Sequence, residues 1–171
     1  MASFAQEAPP TTQTTGLAAP LLEEAKRFLG TPYRYGGRSP RGFDCSGFVG
    51  FVFESYGIRL PRASVRQARE GELVDLGEIQ AGDLLFFKTR GKKNRISHVG
   101  IYLGEGQFIH AGAWGSRKSR CVKISELDGS YYVKRLVSAR RVLGPASALL
   151  EVPRQVLRSE HEPSSEARLE P

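Results

Sequence analysis

Ser97-His-Val-Gly-Ile-Tyr-Leu-Gly-Glu-Gly-Gln-Phe-Ile-His-Ala111 reads as two strands joined by a tight turn. Over residues 97–103, Val99, Ile101 and Leu103 alternate with His98, Gly100 and Tyr102, and alternate residues of a strand share a face. Gly104-Glu105-Gly106 supplies the turn, and Phe108 and His110 share a face of the second strand. A three-residue loop sets Leu103 opposite Gln107. His110 then faces Gly100, diagonal to His98 on the same side, at about 7–8 Å between backbones. Gly100 leaves the gap between the two imidazoles open. The arrangement depends on register, because a two-residue loop by itself would turn the second strand's side chains over.

Outward from this hairpin the pattern continues as strands at residues 83–88, with the run Leu84-Leu-Phe-Phe87, at 120–124 and at 134–143. Helical or turn material is expected at 125–132. Short connections imply an antiparallel sheet. The first half of the chain is helical instead. Leu21, Leu22, Ala25, Phe28 and Leu29 recur at helical spacing after Pro20, with Gly30 as terminator. A turn-rich stretch follows at 31–42, where Tyr35, Gly36 and Gly37 read as turn geometry. Asp44 is placed to cap a helix over 45–56, closed by Gly57, whose Phe48, Val49, Phe51, Val52 and Phe53 demand a central, buried position. Ser64-Val-Arg-Gln67 has capping-box spacing for a short third helix. Helices first and strands second define an α+β fold, N-terminal helices packed on an antiparallel β-sheet.

The chain has 171 residues, enough for one domain with tails, and 25 Lys+Arg against 18 Asp+Glu for a formal charge of +7. Residues 1–20 carry one charge, Glu7, and read as a flexible leader. Within it, Ser3-Phe4-Ala5 has the look of a signal-peptidase site, or is a chance Ala-rich start. Residues 144–171 hold three Arg and five Glu among four prolines and read as a mostly disordered tail, with a transient turn at 153–157. Residues 21–143 therefore keep 22 basic and 12 acidic side chains, a charge of +10 for the globular domain. Such a balance suits an anionic partner without choosing one. Two cysteines exclude a disulfide-rich scaffold, and no apolar run reaches the length that spans a bilayer.

Chemistry centres on few residues. Cys45 opens the apolar helix, where free N–H groups and the helix dipole favour a thiolate; a small core thiol is the equal alternative. His98 and His110 are either two satisfied core histidines or a base with its orienting partner. Taken together the three side chains form a set for acyl transfer through a thioester: Cys45 the nucleophile, His98 the base and then acid, His110 the group fixing the imidazole's tautomer. The Cys45 N–H at the helix start is a natural oxyanion donor.

Five segments in register carry a resemblance. Gly30-Thr-Pro-Tyr-Arg-Tyr-Gly-Gly37, Phe43-Asp-Cys-Ser-Gly-Phe-Val49, Ala81-Gly-Asp-Leu-Leu-Phe-Phe87, Ser97-His-Val-Gly-Ile-Tyr-Leu-Gly104 and Phe108-Ile-His-Ala111 resemble the NlpC/P60 cysteine peptidases in order and spacing. The similarity covers residues 21–143. It implies a papain-like fold and cleavage of bacterial cell-wall peptides, typically between D-glutamate and meso-diaminopimelate. It also implies a Cys45, His98, His110 triad, with Tyr33 lining the site and Asp44 and Ser46 holding the substrate's amino end. Leu60-Pro-Arg-Ala-Ser64 also looks like the family, where it lies near the cleft, although Arg62 reads equally as a solvated charge. The implied protein is a monomer acting on peptidoglycan peptides in the periplasm or cell envelope, without nucleic acid, cofactor or stable membrane insertion, its signal peptide absent from this chain.

Other readings compete. Cys45, Cys121, His98 and His110 are formally a zinc set, but neither cysteine has a close ligand neighbour. Cys121 shares a face with Lys123 and is expected to point outward; a Cys45–Cys121 disulfide would remove the nucleophile. Asp83 is read as a turn or structural polar group, and Trp114 as a partly buried anchor or the lining of a substrate groove. The basic loop at 88–95 is a solvated hairpin tip or a contact for anionic wall polymer. A basic wall-binding module needs no cysteine facing two histidines, whereas an amidase or acyltransferase would use the same thioester.

Overall fold

Helices lead and strands follow along the chain, as the sequence divides it. The computed structural model describes residues 15–89, 95–113, 116, 119–127 and 131–144; Trp114, the middle of the basic loop and most of the leader and tail lie outside the described residues. Helix α1 is Thr15–Lys26, α2 is Cys45–Glu54 and α3 is the single turn Ser64–Gln67. A two-stranded ribbon, β1 (Arg38–Ser39) with β2 (Gly42–Phe43), precedes α2. The main sheet contains β3 (Glu72–Val74), β4 (Leu84–Phe87), β5 (His98–Gly104), β6 (Gln107–Ala111), β7 (Val122–Glu126) and β8 (Leu136–Arg141). Its order is β3-β8-β4-β5-β6-β7, every pair antiparallel.

The strand Leu84-Leu-Phe-Phe87 lies mid-sheet and is buried on both faces, which is why its sequence does not alternate. Leu84 and Phe86 join Val99, Ile101 and Ile109 against Leu21, Ala25, Phe48, Val49 and Val52 of α1 and α2. Leu85 and Phe87 join Phe108 and Ala139 on the opposite face, with Tyr102 and Tyr132 packed over them. Asp83, at the start of β4, takes two bonds from the Arg141 guanidinium at 2.9 and 2.8 Å and one from the Gln80 amide, tying β4 to β8. It is the structural polar group the sequence indicated.

Several boundaries differ from expectation. Helix α1 begins at Thr15, ahead of Pro20, so residues 15–20 are helix and not leader. Pro20 gives up one N–H bond near the helix start, and burial of Ala18, Leu21 and Leu22 offsets it. Helix α2 stops at Glu54, two residues short of Tyr56, and Gly57 takes φ +77°. The capping box at 64–67 does not form. Ala63 occupies the cap position, and the Gln67 amide instead turns inward to donate to the Ser46 and Pro61 carbonyls. Strand β7 lies two residues further on than expected, β8 is preceded by a 3-10 turn at Val133–Arg135, and the edge strand β3 lacked any sequence signal.

The central hairpin combines two irregularities. Its turn is two residues, Glu105 and Gly106, with φ +51° and +73°, the left-handed pair of a mirrored hairpin turn. Alone, that turn would have reversed the second strand. A register shift between Tyr102 and Gly104 inserts one residue and cancels the reversal, so Gly104, not Leu103, pairs with Gln107 while Ile101 pairs with Ile109 and Tyr102 with Phe108. The face predicted for the histidines is kept.

Candidate active site

Asp44 holds the start of α2 in place. Its backbone is extended (φ −92°, ψ 176°), and Oδ1 accepts from the Gly47 N–H at 2.7 Å, the N-cap bond expected of aspartate. Oδ2 accepts from the Gly36 N–H at 2.9 Å. Arg62 clamps the same carboxylate from both its Nη atoms, with Nη1 3.0 Å from Oδ1, and Nη1 also donates to Ser46 Oγ at 2.9 Å. Arg62 is thus bound into the site rather than left as a solvated surface charge. Gly47 is required by closeness: a Cβ there would lie 2.0 Å from the Gly37 carbonyl oxygen.

Cys45 is the first residue of α2 and a half-buried free thiol, as is Cys121, so neither is in a disulfide. The backbone of Val99, the residue after His98 on β5, and those of Ser46 and Cys45 itself lie close to the sulfur. Burial first, and the Asp44 carboxylate second, push the thiol above its ordinary range. This corrects the expectation of a thiolate favoured by the helix end: desolvation and Asp44 outweigh the amides, so the thiol needs a base.

The histidines meet as predicted. His98 is buried at the first position of β5, His110 is wholly buried on β6, and His98 Nε2 lies 2.8 Å from His110 Nδ1 with the rings at 88°. Gly100 makes this possible, since a Cβ there would come 2.7 Å from the Phe108 ring and 3.1 Å from His110 Cβ. The His110 ring stacks on Phe108 (4.7 Å, 24°) and meets Tyr132 edge-on (5.4 Å). Burial, then His98, then Lys123 hold its pKa well below 6.5, so His110 is the neutral imidazole.

Two partners of His110 escaped the sequence reading. Ser125 Oγ is 2.9 Å from His110 Nε2. Lys123, directly opposite His110 on β7, is half-buried, as is Cys121 on the same face, while on the other face Val122 is buried in the core and Ile124 is exposed. Extending the predicted strand past Ile124 would have put Lys123 and Ser125 on one face and found them.

A cleft of about 460 Å³ opens at Cys45, lined also by Tyr33, Tyr35, Asp44, Ser46, Arg62 and Ser97 among others. A second cleft, about 330 Å³, adjoins it and shares Ser46 and Arg62. Cys45 and the side chains expected to hold substrate therefore line one surface. Among the described residues no group of three or more His, Cys, Asp or Glu side chains could hold a metal ion.

The NlpC/P60 family profile matches residues 30–141, a span holding Cys45, His98 and His110. This chain belongs to the NlpC/P60 family. It is 39% identical over 135 residues to a gamma-D-glutamyl-L-lysine dipeptidyl-peptidase of Bacillus subtilis (strain 168), a match covering 79% of this chain and 44% of that protein. With the probable endopeptidase NlpC of Escherichia coli (strain K12) it shares 43% over 125 residues, 72% of this chain and 77% of the relative. A solved NlpC/P60 family protein from Bacillus cereus ATCC 10987 superposes with a TM-score of 0.67 at 41% identity, covering 74% of this chain and 40% of that one. The chain thus spans less than half the length of the dipeptidyl-peptidase and of the Bacillus cereus structure. The fold is the α+β, papain-like NlpC/P60 arrangement.

Proposed function

We propose that this NlpC/P60 domain is a cysteine endopeptidase that hydrolyses the stem peptides of peptidoglycan, at the bond between D-glutamate and meso-diaminopimelate. The observation that carries the reading is the His98–His110 bond, at the end of β5 whose neighbour Ser97 lines the same cleft as Cys45. With Nε2 turned to His110, the other ring nitrogen of His98, Nδ1, takes the proton from Cys45 Sγ. The thiolate attacks the peptide carbonyl, and the Cys45 N–H at the free helix end stabilises the oxyanion. Collapse breaks the C–N bond as His98 returns the proton to the leaving amine, and a thioester remains. Water, deprotonated by His98, cleaves the thioester to the acid and restores the thiol.

Tyr33, Asp44, Ser46 and Arg62 form the part of the cleft that holds the amino end of the substrate. A gamma-D-glutamyl-L-lysine dipeptidyl-peptidase among the relatives supports a cut after D-glutamate, and meso-diaminopimelate as the following residue is what the resemblance to the family implies. An extracytoplasmic place of action follows from the substrate; among the described residues no helix is long and apolar enough to cross a membrane. Purified stem peptides and intact walls are incubated with the protein and the fragments weighed by mass spectrometry. Products ending in D-glutamate, absent with Cys45→Ala, are expected. Cleavage at another bond overturns the assignment of the bond, and undiminished cleavage by Cys45→Ala overturns the mechanism.

A further inference from the structure

His110 is bonded at both ring nitrogens, and the direction of those bonds decides whether His98 can act as a base. In one direction His98 Nε2–H donates to His110 Nδ1 and His110 Nε2–H donates to Ser125 Oγ, which leaves His98 Nδ1 as the lone-pair nitrogen. In the reverse direction His110 Nδ1–H donates to His98 Nε2, and His98 then carries its proton on Nδ1, where it accepts nothing from Cys45. Both directions satisfy the distances of 2.8 and 2.9 Å. A neutral imidazole has one proton, so the partner at His110 Nε2 sets the choice.

We infer that Ser125 is a positioning residue that accepts a hydrogen bond from His110 Nε2–H and so fixes the tautomers of both histidines. The inference rests on the thioester reading given above. Ser125 reaches His110 because β7 pairs with β6 in a register that sets Ser125 opposite Phe108 and Lys123 opposite His110, all on one face. The Tyr132 ring closes over His110 at 5.4 Å and Phe108 at 4.9 Å and seals this end of the pair from solvent. Only with Ser125 accepting from His110 Nε2–H is the lone pair left on His98 Nδ1, where the thioester reading needs it. The groups facing His110 are thus His98 from β5, Lys123 and Ser125 from β7, and Tyr132. The Lys123 ammonium, 3.2 Å from the Ser119 carbonyl oxygen, opposes a second proton on His110, which keeps the relay a matter of tautomer and not of charge.

The test compares Ser125→Ala and Ser125→Thr in the full chain. Nitrogen-15 NMR of the histidine rings is expected to show His110 protonated at Nε2 in the wild type and a mixture of tautomers in Ser125→Ala. The same change is expected to lower kcat for a stem peptide by roughly tenfold, the worth of about one hydrogen bond, with KM unchanged. Ser125→Thr, which keeps the hydroxyl, restores both. Wild-type tautomers and kcat in Ser125→Ala, or a Thr variant as slow as the Ala variant, overturn the inference. If Ser125→Ala fails to fold, Ser125→Cys keeps the volume and weakens the bond; a shift of His110 toward mixed tautomers supports the relay and an unchanged spectrum overturns it. Failure of the thioester reading looks different: turnover would then survive His98→Gln, whatever Ser125 does to the tautomers.

Discussion

Cys45 and His110 are the two ends of the proposed relay, and burial acts on them in opposite senses. It raises the thiol and lowers the imidazole, so each is held in its uncharged form. Their settings differ in every other respect. Cys45 is half-buried at a helix start on the cleft, beside an aspartate committed to Arg62, Gly36 and Gly47. His110 is fully buried between strands, packed by Phe108 and Tyr132 and bonded to His98 and Ser125. In the proposed mechanism one end meets substrate and the other meets only protein, and charge is created during reaction by transfer from Cys45 to His98.

Cutting the relay at its open end gives the largest effect. Cys45→Ala and His98→Gln are each expected to lower kcat by at least about a thousandfold, as loss of a triad member does, with the melting temperature little changed. A large effect of one and not the other would break the pairing. Asp44→Asn comes next, because it removes both the Arg62 ion pair and the negative charge next to the thiol. Turnover falls by about tenfold or more with the lost charge-assisted bonds. The pH midpoint of Cys45 alkylation moves down, since the Asp44 charge is one cause of the raised thiol.

The buried end is read through stability. The folded pKa of His110 lies below the 6.5 of an unperturbed histidine, so as pH falls through 6.5 the unfolded chain binds a proton that the folded chain refuses. Stability contributed by the neutral ring is complete above that pH and declines below it, by up to about 1.4 kcal/mol per pH unit. Denaturant melts from pH 7 to 5 should show this slope, and His110→Gln should lessen it. The smallest effect is that of Lys123→Met. Without the ammonium the His110 titration midpoint, followed by NMR, moves up; a downward shift would contradict its role.

The sequence made much of the site legible because the site is built from local rules. Asp44 caps a helix through its own side chain, and alternation with an open Gly100 puts two histidines on one face. What it hid were features that depend on partners distant in the chain. Leu103 becomes the extra residue of the hairpin only because the turn takes two left-handed residues, and nothing within 97–111 counts that compensation in advance. Gln67 has the spacing of a capping box, yet the Ser46 and Pro61 carbonyls, brought near by folding, claim its amide. The pKa of Cys45 depends on burial beneath a sheet more than fifty residues downstream, which a helix-end argument omits. Ser125 lies beyond the apolar run that marks the strand in sequence, and only its pairing opposite Phe108 brings it to His110.

The central claim is that Cys45 is acylated by the substrate with His98 as its base. Intact-protein mass spectrometry under rapid acid quench, with stem peptide in excess, tests it most directly. A transient adduct with the mass of the acyl fragment is expected, mapped by digestion to the peptide containing Cys45 and absent in His98→Gln. Turnover without any adduct on Cys45, or an adduct on another residue, would contradict it.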